Sequence, residues 1–192
     1  MNEANLKTCT PQNKEEWREW LEKNHMSEKA VWVVYYKKSS GIPSISHSEA
    51  IDQALCFGWI DSKGQSIDKQ RYRVCFTPRK PNSVWSRVNK EKVKKLIGQG
   101  LMREAGFASI ETAKQNGSWT ILDDVEALVI PEDLQAEFEK HPQAASHFHS
   151  QSKSNRKMML QQLALAKRPE TRRKRINEIL ASAQPPGKQE EI

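Results

Sequence analysis

Residues 46–89, SHSEAIDQALCFGWIDSKGQSIDKQRYRVCFTPRKPNSVWSRVN, contain in succession the patterns of a helix, a strand pair and a long loop. Ser46 and Glu49 form a capping box, which predicts the start of an amphipathic helix. Two segments rich in β-branched and aromatic residues then flank a turn, and the second alternates polar and apolar residues like a half-buried strand. Pro78 and Pro81 end that strand and predict an extended loop. The stretch therefore predicts a helix, an antiparallel hairpin and a loop, in that order.

The preceding residues extend this pattern to a small sheet covered by helices. Asn13 and Glu16 form a second capping box, which predicts a helix that continues to about Asn24. Residues 30–36, AVWVVYY, are β-branched and aromatic with little polar alternation, which is typical of a strand covered on both faces. We expect this strand to lie at the centre of the sheet.

The residues that follow the loop predict helices only. A basic helix is expected from about Asn89, with a buried side formed by Val93, Leu96 and Ile97. Another is expected over residues 103–115. After residue 123 the chain predicts three or four short helices, one of them with Met158, Leu160 and Leu163 on its apolar side.

The fold class predicted is α+β, with a small antiparallel sheet of about three strands covered by helices, followed by an all-helical C-terminal domain. The change to a purely helical pattern predicts an α+β domain over residues 1–120, a helical domain over residues 121–183 and a disordered tail over residues 184–192. At 192 residues, the chain is long enough to bury a substantial core.

The net charge of +7 is distributed in blocks of opposite sign. Residues 71–103 carry ten basic and one acidic side chain, residues 104–150 carry two basic and nine acidic ones, and residues 151–177 carry nine basic and one acidic. Such blocks attract anions, but packing of the acidic helices near the basic ones would explain them equally well. Both interpretations stay open at this stage.

Cysteine spacing and hydropathy bear on the compartment. The odd number of cysteines, at spacings that fit neither a zinc ribbon nor a redox motif, suits a reducing cytoplasm. No apolar run approaches the roughly 20 residues that a membrane-spanning helix needs. We therefore expect a cytoplasmic protein without membrane insertion.

Polar and aromatic residues on the predicted loops are the candidates for a ligand site. In one interpretation Arg79 and Lys80 hold an anion, Trp59 and Trp85 form apolar walls, and Asp61 fixes an arginine or acts as a base. In the other, Asp61 pairs with an arginine to hold the loop, and both tryptophans belong to the core. The candidate ligand-binding residues are Trp59, Asp61, Arg71, Arg79, Lys80, Ser83, Trp85 and Asn89.

Basic side chains on two helices are candidates for a second surface. These residues are Arg87, Lys90, Lys94, Arg168, Arg172 and Arg175. They could contact phosphates, but no motif that reads a nucleic-acid sequence is present, so nucleic-acid binding would be nonspecific. His141, His147 and His149 are spaced so that the last two lie on different helix faces, and no nucleotide-binding loop occurs. We expect neither a metal nor a cofactor.

Three segments resemble a known family: EAIDQALCFGWIDS, RYRVCFTPRKPNSVWSRVNKEKV and SKSNRKMMLQQLALAKRPETRRKRINEIL. Their order and spacing are similar to those of the bacterial YdeI/OmpD-associated family, over roughly residues 10–183. From about Pro131 the chain resembles the small helical domain named for bacteriocin protection and OmpD association. The resemblance implies a cytoplasmic bacterial protein linked to bacteriocin tolerance or envelope stress, and it implies no reaction. Arg103-Glu104 departs from the family pattern and weakens a helix cap.

The sequence favours a non-enzymatic protein that binds an anionic small molecule or another protein through the hairpin loop and the basic helices. The first alternative is an enzyme of unknown class built around Asp61, Arg79 and Trp85. The second is nonspecific nucleic-acid binding through the basic helices. Neither the partner nor the oligomeric state follows from the sequence.

Overall fold

The computed structural model describes residues 6–183. The chain divides into two compact units between Trp119 and Thr120, and each is described by itself. The domain bounds expected from the sequence stay a prediction, and the expected disordered tail lies outside the described residues.

The first unit contains a four-stranded mixed sheet, and the α+β class is confirmed. The strands are β1 (Lys7–Cys9), β2 (Val31–Tyr36), β3 (Trp59–Ser66) and β4 (Arg71–Pro78). β1 is parallel to β2, whereas β2 and β3 each pair with β4 in antiparallel orientation. The order β1-β2-β4-β3 adds one strand to the three expected, because β1 is a polar tripeptide without a readable pattern.

The first two helices of the first unit begin at the expected caps. Asn13 accepts a hydrogen bond from the amide of Glu16, and Ser46 forms the predicted capping box with Glu49. The third helix begins two residues earlier than predicted because Ser86 caps it. The N-cap of the fourth helix, an arginine, makes no side-chain cap bond. These helices are α1 (Lys14–Asn24), α2 (His47–Cys56), α3 (Arg87–Gly98) and α4 (Glu104–Gln115).

The main core of the first unit lies between the sheet and the helices. Trp17 and Leu21 of α1 pack with Ala50 and Ala54 of α2 against the sheet, and Phe76 lies in the same cluster. The β2 residues from Val31 to Tyr35 are all buried, as predicted for a strand covered on both faces. Ile97 was expected in the core but is 45% exposed, because the outward side of α3 contributes to a surface groove described below.

The second unit is all-helical, as predicted. Its buried side chains include Leu134, Phe138, Phe148, Leu160 and Leu163. Met158, expected on the apolar side of its helix, is 54% exposed because that helix buries the face of Leu160 and Leu163 instead. In the described range, no helix is both long and apolar enough to cross a bilayer. The helices are α5 (Asp123–Glu126), α6 (Glu132–Lys140), α7 (Pro142–Ser150), α8 (Lys153–Ala164) and α9 (Pro169–Ala181).

Candidate functional site

The loop between β4 and α3 is held against the end of α4. The side-chain amide of Asn116 donates to the carbonyl oxygen of Pro81 at 2.8 Å, and the Ser118 hydroxyl donates to the same oxygen at 3.3 Å. The amide of Trp85 donates in turn to the carbonyl of Ser118 at 3.4 Å. These bonds position Arg79 and its neighbours beside the outer surface of α4.

Arg79 has the most unusual environment on this loop. Its guanidinium carbon lies 3.8 Å from the centre of the Trp85 ring, and Nη2 donates to the carbonyl of Val84 at 2.6 Å. Nε and Nη1 are buried and have no hydrogen-bond partner among the described residues. Burial lowers the pKa of Arg79 to about 10, against the opposing effect of Asp61. Arg79 therefore remains cationic at neutral pH with two hydrogen-bond donors unused.

A small cavity opens beside this arginine. Its volume is about 150 Å³, which corresponds to roughly five water molecules at about 30 Å³ each. Drug-sized ligand sites are larger, at about 300–1,000 Å³. The cavity can therefore hold a group of a few heavy atoms. Its walls are formed by Arg79, Lys80, Pro81, Ala108, Ser109 and Thr112.

Asp61 forms a different pair from the one that the sequence suggested. Its Oδ2 lies 3.2 Å from Nε2 of His47, without the alignment of a hydrogen bond. Arg71 instead pairs with Asp68 at 2.8 Å beside the hairpin turn, so the structure does not bring Arg71 to the site. Asp61 still favours the charged form of Arg79 electrostatically. It thus faces both a histidine and an arginine.

A buried tyrosine completes the surroundings of Asp61. The Tyr35 hydroxyl is buried and has no hydrogen-bond partner in the described part of the chain. Its ring stacks on Tyr72 at 4.9 Å and meets the edge of His47 at 5.9 Å. Burial, with the nearby Tyr72 and Asp61, raises the pKa of Tyr35. Asp61 thus lies among His47, Arg79 and Tyr35, without a hydrogen bond to the imidazole or the phenol.

The remaining candidate residues are buried or take part in hydrogen bonds that stabilise the fold. Trp59 and Trp85 are each 1% exposed, and the indole of Trp59 donates to the carbonyl of His25 at 3.2 Å. The amide of Ser83 donates to the carbonyl of Lys80 in a turn, and the amide of Asn89 donates to the Ser86 hydroxyl at the start of α3. Trp85 touches the site through Arg79.

Several residues of the site were not predicted from the sequence. His47 directly follows Ser46, and the capping box of Ser46 and Glu49 accounts for the residues around it. No sequence pattern therefore indicated a role for His47. Ser109 and Thr112 are three residues apart in α4, a spacing that places them on one helix face. Asn116 directly follows the helix expected over residues 103–115, and no pattern indicated a further role for it. The polar face of α4 is the single signal that could have indicated this wall of the cavity.

Several of the predicted basic residues take part in contacts within their own unit. Arg87 pairs with Glu91 at 3.2 Å. In the second unit Arg172 makes a two-point contact with Asp133, and Arg175 pairs with Glu178 at 2.7 Å. Acidic neighbours thus neutralise part of the basic face of α9. Arg168, at the N-cap of α9, is exposed. Within residues 6–183, no three acidic, histidine or cysteine side chains converge as a metal site.

Two family matches divide the chain much as the fold does. Residues 9–109 match a family described as a domain of unknown function (DUF8412). Residues 127–184 match the family described as bacteriocin-protection, YdeI or OmpD-associated, which confirms the resemblance inferred from the sequence. That second match covers only the closing helical segment, so the first half has a separate family of its own. Neither curated proteins nor solved structures gave a match.

Proposed function

Because the chain belongs to the family of that domain of unknown function, we propose its function from geometry: the protein binds a small oxyanion, a carboxylate or phosphate group, in the cavity beside Arg79. The proposal names a binding protein rather than an enzyme. It rests on the environment of one guanidinium.

The unused donors of Arg79 carry the proposal. Buried polar groups almost always have hydrogen-bond partners, so two buried guanidinium nitrogens without one require an explanation. An oxyanion supplies charged acceptors for such N–H groups, and hydrogen bonds to ionised partners are the stronger ones. It would also offset the desolvation that lowers the pKa of Arg79 to about 10. Stacking on Trp85 holds the guanidinium plane in one orientation, which reduces the entropy lost on binding.

The other walls of the cavity suit the same ligand. Lys80 adds a second cation at the exposed side, and Ser109 and Thr112 add hydroxyl groups. The Ser109 hydroxyl already donates to the carbonyl of Gly106 at 2.8 Å, so Thr112 is the better donor to a ligand. A cavity of about 150 Å³ limits the bound part to a small group, while any larger body of the ligand would extend into solvent.

The cellular role that we propose combines this site with the family of the second unit. The helical segment shares its family with proteins named for bacteriocin protection and OmpD association, so we place this oxyanion-binding protein in that response. We also place it in the bacterial cytoplasm. Cys9, Cys56 and Cys75 are free thiols, which suits a reducing compartment.

The test is titration of purified protein with phosphate, sulfate and oxalate at constant ionic strength. The Arg79 Nε–Hε resonance in a ¹⁵N-resolved spectrum reports directly on the predicted contact. We expect it to shift with saturation for at least one of the three anions. Lys80→Ala should raise the Kd about tenfold, because it removes a charged partner worth about 1.5 kcal/mol.

Lys69→Ala is the matched control. Lys69 is an exposed lysine at the hairpin turn and does not line the cavity. The two variants carry the same net charge, so bulk electrostatics change equally. Equal weakening by both variants, or an Arg79 resonance that no anion moves, would show that the cavity is not the binding site.

A further inference from the structure

A groove between α3 and α4 has an apolar floor. Val93 and Ile97 of α3, Ile110 of α4 and Trp119 form this floor in a groove of about 480 Å³. Val93 and Ile110 are buried at its base, whereas Ile97 stands 45% exposed at its edge. An isoleucine exposed to this degree on a helix that buries Val93 and Leu96 leaves apolar surface open for a partner.

Lysines surround this floor. Lys90 and Lys114 lie over the Trp119 ring, with Nζ atoms 5.3 Å and 5.9 Å from its centre. Lys94 lines the groove between them. Neither Lys94 nor Lys114 belongs to an ion pair with any residue in the range 6–183. The one carboxylate of the described chain that lines this groove, Glu91, is paired with Arg87. Lys94 and Lys114 therefore give the rim positive charge that no ion pair within residues 6–183 neutralises.

The spacing of these residues matches a helix as partner. Lys90, Val93, Lys94 and Ile97 recur at intervals of three and four residues, so one face of α3 lines the groove over two turns, or about 10 Å. Ile110 and Lys114 repeat the four-residue spacing on α4. A third helix that lays an apolar stripe into such a groove uses the same periodicity. Charge complementarity then requires acidic residues on both sides of that stripe.

We propose that the α3–α4 groove binds an acidic amphipathic helix of a partner protein, with leucine-like anchors on the floor and carboxylates against Lys90, Lys94 and Lys114. This surface lies on the same unit as the oxyanion cavity but has separate chemistry. The proposal does not depend on oxyanion binding.

The test uses a defined probe, a labelled 16-residue helical peptide with leucines at helical spacing and glutamates on both flanks. Fluorescence anisotropy with the full-length protein should show saturable binding that weakens as salt screens the lysines. Lys94→Glu combined with Lys114→Glu should raise the Kd at least about tenfold. The same doubly substituted protein should gain affinity for a peptide with lysine in place of each glutamate, which a merely misfolded variant would not do.

Two control variants separate a specific groove from general attraction. Lys95→Glu changes the charge of an exposed neighbour on α3 that does not line the groove, and it should alter the Kd less than about twofold. Ile97→Ser leaves every charge in place and should weaken binding by removing an anchor. The proposal is wrong if wild-type protein binds both peptides equally, or if Lys95→Glu weakens binding as much as the double variant. It is also wrong if Ile97→Ser abolishes a dimer seen by sedimentation while the peptide fails to bind, because the groove then joins two copies of the chain.

Discussion

Gly106 decides how closely α4 can approach α2. A β-carbon at this position would lie 2.8 Å from the carbonyl carbon of Cys56 and closer still to its oxygen. It would also lie 2.7 Å from the terminal methyl of Met102. The backbone of α2 cannot yield as a flexible side chain can, so only glycine permits this contact. The contact matters for function because α4 carries one wall of the oxyanion cavity.

We expect Gly106→Ala to lower the free energy of unfolding by about 2–3 kcal/mol, although alanine favours helices intrinsically. Gly98→Ala is the matched change in α3, where an added β-carbon meets nothing within 4 Å. It should raise the free energy of unfolding by up to about 1 kcal/mol. Urea unfolding followed by tryptophan fluorescence measures both. Two alanine variants of equal stability would contradict the close contact.

At the scale of elements, one arginine links three helices of the second unit. Arg172 of α9 donates two hydrogen bonds to Asp133 of α6, at 2.5 Å and 2.8 Å, and a third to the carbonyl of Leu163 in α8 at 3.0 Å. The arginine lowers the pKa of Asp133 below its usual value. This ion pair therefore helps to fix the orientation of helices whose apolar core includes Leu134, Phe138 and Ile176.

Acid should weaken this link in a defined direction. Because the folded-state pKa of Asp133 is lowered, its stabilising contribution is complete above the unfolded-state pKa and disappears as pH falls through the folded-state pKa. We expect Asp133→Asn to cost less than about 1 kcal/mol at neutral pH, since the pair is partly exposed. The difference from wild type should vanish in strong acid. Thermal unfolding followed by circular dichroism between pH 2.5 and 7 measures this effect.

Glu139→Gln provides the comparison on the same helix, because Glu139 is exposed and has no ion pair within the described chain. It should leave the pH dependence of stability as in wild type. A loss equal to that of Asp133→Asn would assign the effect to net charge rather than to the contact with Arg172.

At the scale of the whole molecule, each unit has an apolar core of its own. The core that contains Trp17, Val33 and Phe76 is built from the first unit alone. The second unit buries Leu134, Phe148 and Leu163 among its own helices. The charge blocks follow the units only in part, because the acidic block of residues 104–150 crosses the division after Trp119.

We expect fragments 1–119 and 120–192 each to unfold cooperatively when expressed alone. The second fragment should be the less stable, since a domain of about 70 residues buries a smaller fraction of its surface. Calorimetry of the two fragments and of the intact chain checks this expectation. A fragment that melts without a cooperative transition would show that the two units form one folding unit.

Local rules made most of the elements predictable. The caps at Asn13 and Ser46, the uninterrupted apolar run of β2 and the alternation in β4 act within a few residues of sequence, so the α+β class and the helical second half could be inferred. The three-residue β1 was not predicted, because only its pairing with β2 makes it a strand. The loop that carries Arg79 and Trp85 was identified by its prolines and its polar and aromatic composition.

The sequence by itself determined most of the elements, the family of the closing segment and the loop on which to look for a site. Tertiary structure decided which side chains meet: Asp61 lies against His47 and forms no close ion pair with an arginine of the described range, and α4 supplies Ser109 and Thr112 to the cavity. It also decided that Ile97 lines an open groove instead of the core. The physical reason is that the residues of these contacts lie far apart in the sequence. Caps and periodicity depend on neighbours within one or two turns, whereas these contacts form only after separate elements have packed together.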